Sequence, residues 1–261
     1  ESKERILMCR LAAYLGSAIS LSAFLQEHEH SLIQQSWAPK EMQDGTLNAD
    51  GYGVAWLADN HIPSSYKNVL PIWSDTNLNS LGRSISSQLW LANIRGATPV
   101  QGISESNTQP FIKDNLIFTH NGSLKPFNNI TKARFLDVLP NTISADITGD
   151  SDSQYLFALL QLHLQNRDSI SNAIISMMND LKSICGDSVS ALLNIVFSDG
   201  DSLYACRHAL NGNCPSLYYL FKEDDFWIAS EPLSPNDAWI SFTEHSLVRF
   251  NRSGVIEDYR L

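Results

Sequence analysis

Cys9-Arg10-Leu11-Ala12-Ala13-Tyr14-Leu15 is apolar except at its second position and stops at Gly16. A run of this length suits a strand buried on both faces better than a helix, so the chain is expected to enter its core directly after Cys9. Eight residues, ESKERILM, precede that cysteine. Residues 1–8 read as a leader, tag or upstream readthrough, and 9–261 as a single domain without repeats or linkers.

Outward from this strand, Leu21, Phe24, Leu25 and Leu32 recur among polar residues as in a loose amphipathic helix or lid. Residues 48–57 are strand-like, with Gly51 and Gly53 between bulky neighbours, and glycine inside a strand marks close backbone approach. Residues 85–94 read as helix into strand. Residues 116–120 form a buried strand, which Asn121-Gly122 would end in a hairpin turn. The Ser/Asp cluster at 149–153 caps a helix over 154–165. A second helix over 169–185 carries Ile170, Ile174, Met177, Met178, Leu181 and Ile184 on one face. Strands follow at 192–197, 202–207, 217–221, 226–230 and 246–251. Strands, two helices, then strands again predict an α+β fold with helices packed on antiparallel sheets.

The chain has 261 residues, 43% of them hydrophobic and 18% charged, which describes a globular protein. No run approaches the roughly 18 apolar residues of a membrane-spanning helix, and the opening segment reads poorly as a signal peptide, so a cytoplasmic protein with no membrane partner is expected. Eighteen Lys and Arg against 28 Asp and Glu give a net charge of −10, and the basic residues are scattered. No nucleic-acid partner is expected, because phosphate binding needs clustered cations. The four cysteines, Cys9, Cys185, Cys206 and Cys214, lack C-x-x-C spacing and read as free thiols, the last three as small core groups.

Four polar clusters fall at strand ends or a helix cap: Cys9-Arg10, Asn93 to Thr98, His120 to Ser123, and Gly149 to Ser153. Cleaving an amide through a thiol needs a nucleophile, donors for a tetrahedral oxyanion, a cation for a substrate carboxylate and an anion for a substrate ammonium. One cluster is available for each part. Singly, each also fits a plain role: Arg95 on the surface, Asn121-Gly122 in a turn, Asp152 as a helix cap, His120 as a hydrogen-bonded structural histidine.

Together, the M-C-R at Met8, N-A-D-G-Y-G from Asn48, I-R-G-A-T from Ile94, N-T-Q-P-F from Asn107, T-H-N-G-S from Thr119 and G-D-S-D-S-Q from Gly149 resemble the glutaminase domain of class II glutamine amidotransferases. These are N-terminal-nucleophile hydrolases, and the likeness implies a four-layer αββα sandwich of two antiparallel sheets. A narrower likeness, to the stand-alone amidohydrolases of ergothioneine biosynthesis, uses Gln35-Ser36, Pro39-Lys40, Asn48 to Trp56, Pro71 to Asp75, Arg95 to Pro99 and Ala229 to Leu233. It implies removal of glutamate from γ-glutamyl-hercynylcysteine sulfoxide.

By the same resemblance, Cys9 is the nucleophile, with its own α-amino group as base once it is the first residue. Asn121 through its amide and Gly122 through its N–H form the oxyanion hole. Arg95 holds the glutamyl carboxylate and Asp152 its ammonium, while Ala97 and Thr98 line the glutamyl pocket. Asp50 and Gly51 shape the wall near the nucleophile. No cofactor and no metal are implied, and the partner is a small-molecule γ-glutamyl substrate; a homodimer and association with pathway enzymes both stay open. Two other readings are an ammonia-supplying glutaminase subunit and, if residues 1–8 stay attached, a silent γ-glutamyl-binding protein. Trp37, Trp56, Trp73 and Trp90 either pack or stack on an imidazole or trimethylammonium.

Overall fold

The computed structural model describes residues 9–41, 47–96, 102–165 and 169–261. Residues 1–8, Ala97 and Thr98 lie outside the described residues. In the first half of the chain the strands are β1 (Arg10–Ser20), β2 (Tyr52–Leu57), β3 (Pro63–Asn68), β4 (Ser86–Ile94), β5 (Phe111–Lys113) and β6 (Leu116–Lys125). The second half adds β7 (Ser190–Ser198), β8 (Ser202–Leu210), β9 (Tyr218–Lys222), β10 (Asp225–Ala229), β11 (Ile240–Ser241), β12 (Ser246–Asn251) and β13 (Gly254–Arg260). They build two sheets, one in the order β11-β9-β10-β1-β4-β2-β3 and the other β13-β12-β8-β7-β6-β5. Every ladder is antiparallel.

The apolar run after Cys9 is β1, a central strand buried on both faces. Leu11, Ala13 and Leu15 point between the sheets, where they meet Ile117, Val196, Ala205 and Phe226. Ala12 and Tyr14 point outward, into a layer formed by α1 (Leu21–Leu25), α2 (Leu32–Trp37) and α3 (Leu78–Ser84). Two-sided burial is why the sequence shows no polar alternation here. On the far side of the second sheet, Phe118, Leu193, Ile195 and Phe197 pack against α4 (Asn129–Val138), α5 (Asn141–Ser144), α6 (Asp152–Gln165) and α7 (Ile170–Cys185). The expected αββα sandwich is therefore present. Ser169 caps α7 through Asn172 N, and Gly186, at φ 51°, follows its end.

Two expectations are overturned: residues 85–94 hold no helix, since α3 ends at Ser84 and β4 is extended from Ser86, and the hairpin at residues 121–122 is absent. Asn121-Gly122 makes no turn: β6 runs on through both residues, pairing Asn121 with Asn194 and Gly122 with Leu193 of β7. The ladder outweighs local turn preference, and glycine is needed for close approach, since a Cβ at Gly122 would lie 1.8 Å from the Leu192 carbonyl oxygen. At Gly53 the inferred close approach is present, with a Cβ there falling 2.3 Å from Gln109 O. Among the described residues no helix is long and apolar enough to cross a membrane.

Candidate active site

Strand pairing and contacts between the layers bring the two halves of the site together. Arg10 faces Ile94 across the β1–β4 ladder, so Cys9 and Arg95 emerge side by side at one end of the first sheet. The second sheet is drawn to the same place by polar contacts between the layers: Asn93 Nδ2 donates to Thr119 Oγ1 at 3.0 Å and to His120 O at 3.3 Å. The resulting pocket is lined by Cys9, Arg95, Gly122 and Asp152, with Ser123, Ser151 and Ser153 alongside.

Burial pushes the Cys9 thiol up from its ordinary value, while the Gly96 N–H and the Arg95 guanidinium act against that. A thiol raised in this way is protonated at neutral pH and needs a base to become a nucleophile. Asn121 directs its Nδ2 at the Cys9 carbonyl oxygen. The orientation of that amide is set from behind, where Asn194 Nδ2 donates to Asn121 Oδ1 at 3.3 Å.

Arg95 donates Nη1 to Gly102 O at 3.0 Å, and its buried Nη2 has no partner among the described residues. An unpaired buried guanidinium N–H is costly, and a ligand carboxylate would relieve the cost. The Ser151 hydroxyl is likewise buried without a partner among the described residues. Asp152 opens α6 and accepts from Leu124 N and Ser153 N, both at 2.8 Å. Two carboxylate oxygens with about four acceptor positions leave capacity for an ammonium as well.

Asp50 and Gly51 hold the backbone of Arg95. Asp50 N donates to Arg95 O at 3.1 Å, and Arg95 N donates to Gly51 O at 2.9 Å. Gly51 sits at φ 105°, in the region that only glycine enters freely, with Asn68 O 2.9 Å from where a Cβ would be.

His120 is buried and has both ring nitrogens engaged. Nε2 meets Leu192 O at 2.9 Å, which requires a proton on that nitrogen, and Nδ1 accepts from Ser153 Oγ at 2.9 Å. Burial lowers its pKa, so it is a neutral structural histidine rather than a free base. Gln109 closes the same network, accepting from His120 N at 2.6 Å and donating to His120 O at 3.0 Å. Asn107 ties its own segment to the helix cap, donating to Asp150 Oδ1 at 2.6 Å and accepting from Asp150 N and Ser151 N.

Arg10, the residue after the thiol, donates Nε to Cys9 O at 2.9 Å and pairs Nη1 with Glu231 Oε1 at 3.0 Å. Glu231 Oε2 also meets His30 Nε2 at 3.1 Å and Lys40 N at 2.7 Å. These partners and Arg10 hold the Glu231 carboxyl below its usual range despite its burial. Asn194 and the roles of Glu231, Gln109 and Ser153 were not read from the sequence. One signal existed: Asn194 is the lone polar residue in the apolar run Ala191 to Phe197, and an amide so placed must find a buried partner. Of the tryptophans, Trp90 is core and Trp56 packs on it at 5.8 Å, whereas Trp37 and Trp73 form an edge-to-face pair at 5.7 Å, each 41% exposed.

Comparison with known proteins adds three likenesses. A protein of Mycobacterium tuberculosis (strain CDC 1551 / Oshkosh) named γ-glutamyl-hercynylcysteine sulfoxide hydrolase is 29% identical over 248 residues, 95% of each chain. A protein of the same name from Mycolicibacterium smegmatis is 28% identical over 249 residues, 95% of this chain and 98% of that one. The solved structure of a glutamine aminotransferase class-II domain protein from Silicibacter pomeroyi matches with a TM-score of 0.70 over 97% of this chain and 98% of that one, at 24% identity, a likeness of fold. Residues 28–226 match the family model of class II glutamine amidotransferases, and the chain belongs to that family.

Proposed function

We propose that the protein hydrolyses a γ-glutamyl amide through a Cys9 thioester, and that its substrate is γ-glutamyl-hercynylcysteine sulfoxide. The observation that carries the reading is the convergence of Cys9, Gly122, Arg95 and Asp152 on one pocket, with Asn121 against Cys9. With Cys9 as the first residue, its α-amine takes the thiol proton and the sulfur attacks the amide carbonyl carbon. The tetrahedral oxyanion is met by Asn121 Nδ2 and the Gly122 N–H. Collapse expels the amine, which leaves with the proton the α-ammonium returns, and water then cleaves the glutamyl thioester. Arg95 and Ser151 bind the glutamyl carboxylate, and Asp152 binds its ammonium.

The substrate is supported by the two mycobacterial relatives, aligned over nearly their whole length. The test compares glutamate release from γ-glutamyl-hercynylcysteine sulfoxide, a simple γ-glutamyl peptide and free glutamine, with Cys9→Ala as the blank. The sulfoxide is expected to have the highest kcat/KM. Fastest turnover of free glutamine would favour an ammonia supplier instead.

A further inference from the structure

We propose that His208, Cys214, Glu244 and His245 form a binding site for a zinc-class divalent cation. Three separate stretches deliver them: His208 from β8, Cys214 from the connection between β8 and β9, and Glu244 with His245 from the segment ahead of β12. The Nδ1 atoms of His208 and His245 are 2.9 Å apart, and Cys214 Sγ lies 3.9 Å from both ring nitrogens of His245. One ligand atom each from Cys214, Glu244 and His245 falls within 4.8 Å of the other two.

Tetrahedral zinc, bonded to nitrogen at about 2.0–2.1 Å and to thiolate at about 2.3 Å, sets two nitrogens roughly 3.3 Å apart and nitrogen and sulfur roughly 3.6 Å apart. The His208–His245 contact is near the first spacing and the Cys214–His245 contact near the second, so His245 is the shared ligand and His208 joins through it. A hydrogen bond between the imidazoles accounts for their own contact, and a thiol and a carboxylate add two further ligand types beside His245. One thiol, two imidazoles and one carboxylate make a set of borderline softness that selects zinc over the all-oxygen coordination of calcium or magnesium.

Glu244, 3.3 Å from Arg207 Nη2, exchanges that surface pairing for the metal. Cys214 stands two residues before Ser216, whose carbonyl accepts from Asn194 Nδ2 at 2.7 Å. The cation thus pins the segment behind Asn194. The sequence hides the site, because Cys214 and His245 are 31 positions apart.

Cobalt(II) titration of the full chain followed by zinc displacement tests this, in wild type and in Cys9→Ala, so that the Cys9 thiol cannot supply the signal. One equivalent of cobalt is expected to give a thiolate-to-metal charge-transfer band and strong tetrahedral visible bands in both proteins, abolished by zinc. Cys214→Ser should lose the charge-transfer band, and His245→Ala should weaken zinc binding more than tenfold. His245 is exposed, so that variant keeps the fold even if Cys214→Ser does not. Absence of the thiolate band in Cys9→Ala, or zinc affinity unchanged in His245→Ala, overturns the proposal.

Discussion

Asn194 donates to Asn121 Oδ1 from the position directly opposite on the neighbouring strand, which decides which end of the Asn121 amide meets Cys9. Rotated by half a turn, that amide would present its oxygen to a developing oxyanion and repel it. Removing a single oxyanion donor costs about 10²–10³ in rate, and this is the expected loss in kcat for Asn121→Ala. Asn194→Ala should cost about 10–100-fold in kcat with KM little changed, because a supporting partner acts through the donor it orients. Steady-state kinetics with the γ-glutamyl substrate check this. A loss confined to KM would remove Asn194 from the oxyanion argument.

Arg95 and Asp152 are expected to act on binding. Arg95→Lys keeps the charge but loses the planar fork. With charge-assisted hydrogen bonds contributing about 1.5–3 kcal/mol, kcat/KM should fall roughly ten- to a hundredfold, mostly through KM. Asp152→Asn keeps an acceptor for Leu124 N, so the fold should survive while affinity for the ammonium falls. Product inhibition by glutamate gives an independent reading, since both variants should bind it less tightly than wild type. Unaltered inhibition constants would place the glutamyl head elsewhere.

The layers were legible in the sequence because they depend on short-range pattern, and so were the polar clusters, whose roles come from the family resemblance. The run at Cys9 reads as a doubly buried strand because no polar residue interrupts it after Arg10, and the polar clusters stand out against such runs. Long-range pairing was not legible. Asn121-Gly122 has the composition of a turn, yet pairing with β7 carries the strand through it. The Asp50–Gly51 clamp on Arg95 and the Glu231 contact with Arg10, 221 positions away, exist only after folding. α4 left little pattern because it buries only Thr131 and Phe135.

The Arg10–Glu231 pair should matter to stability more than surface charges do. Both side chains are 1% exposed, so neither can recover its hydration if the other is removed. Glu231→Gln is therefore expected to destabilise the protein by about 3–5 kcal/mol, the range for breaking a buried pair, measured as a lower denaturant midpoint. Arg10→Met combined with Glu231→Leu should lose less than the single variant, because no buried charge is left alone. A single variant as stable as wild type would mean that water or another group satisfies Arg10.

His120 makes stability depend on pH with a defined sign. Its folded pKa is lowered by burial, so between the ordinary histidine value of 6.5 and that lower value the unfolded chain binds a proton that the folded protein does not. Stability contributed by the neutral ring is thus present above about pH 6.5 and is lost as pH falls below it. Urea midpoints for wild type should drop between pH 7.5 and 5.5. His120→Gln should be less stable at pH 7.5 yet show a shallower drop over the same interval. Parallel curves for the two proteins would show that His120 does not carry the effect.

The strongest demand of the proposed mechanism falls on the nitrogen of Cys9. Burial holds the thiol above its ordinary value, so at neutral pH only a small fraction is thiolate and an adjacent base has to remove the proton at the moment of attack. An α-amine can do this; the same nitrogen in a peptide bond to Met8 cannot, because its lone pair is delocalised into the carbonyl. A chain beginning at Cys9 should therefore release glutamate, while one retaining residues 1–8 should be inactive and still keep its fold. In the retained form, iodoacetamide labelling of Cys9 should be slow at pH 7 and should still be rising at pH 9. Mass spectrometry of the N-terminus, run beside the glutamate assay on the same preparation, links activity to the chain end. Full turnover by protein whose first residue is verified as Glu1 would rule out the amine as base.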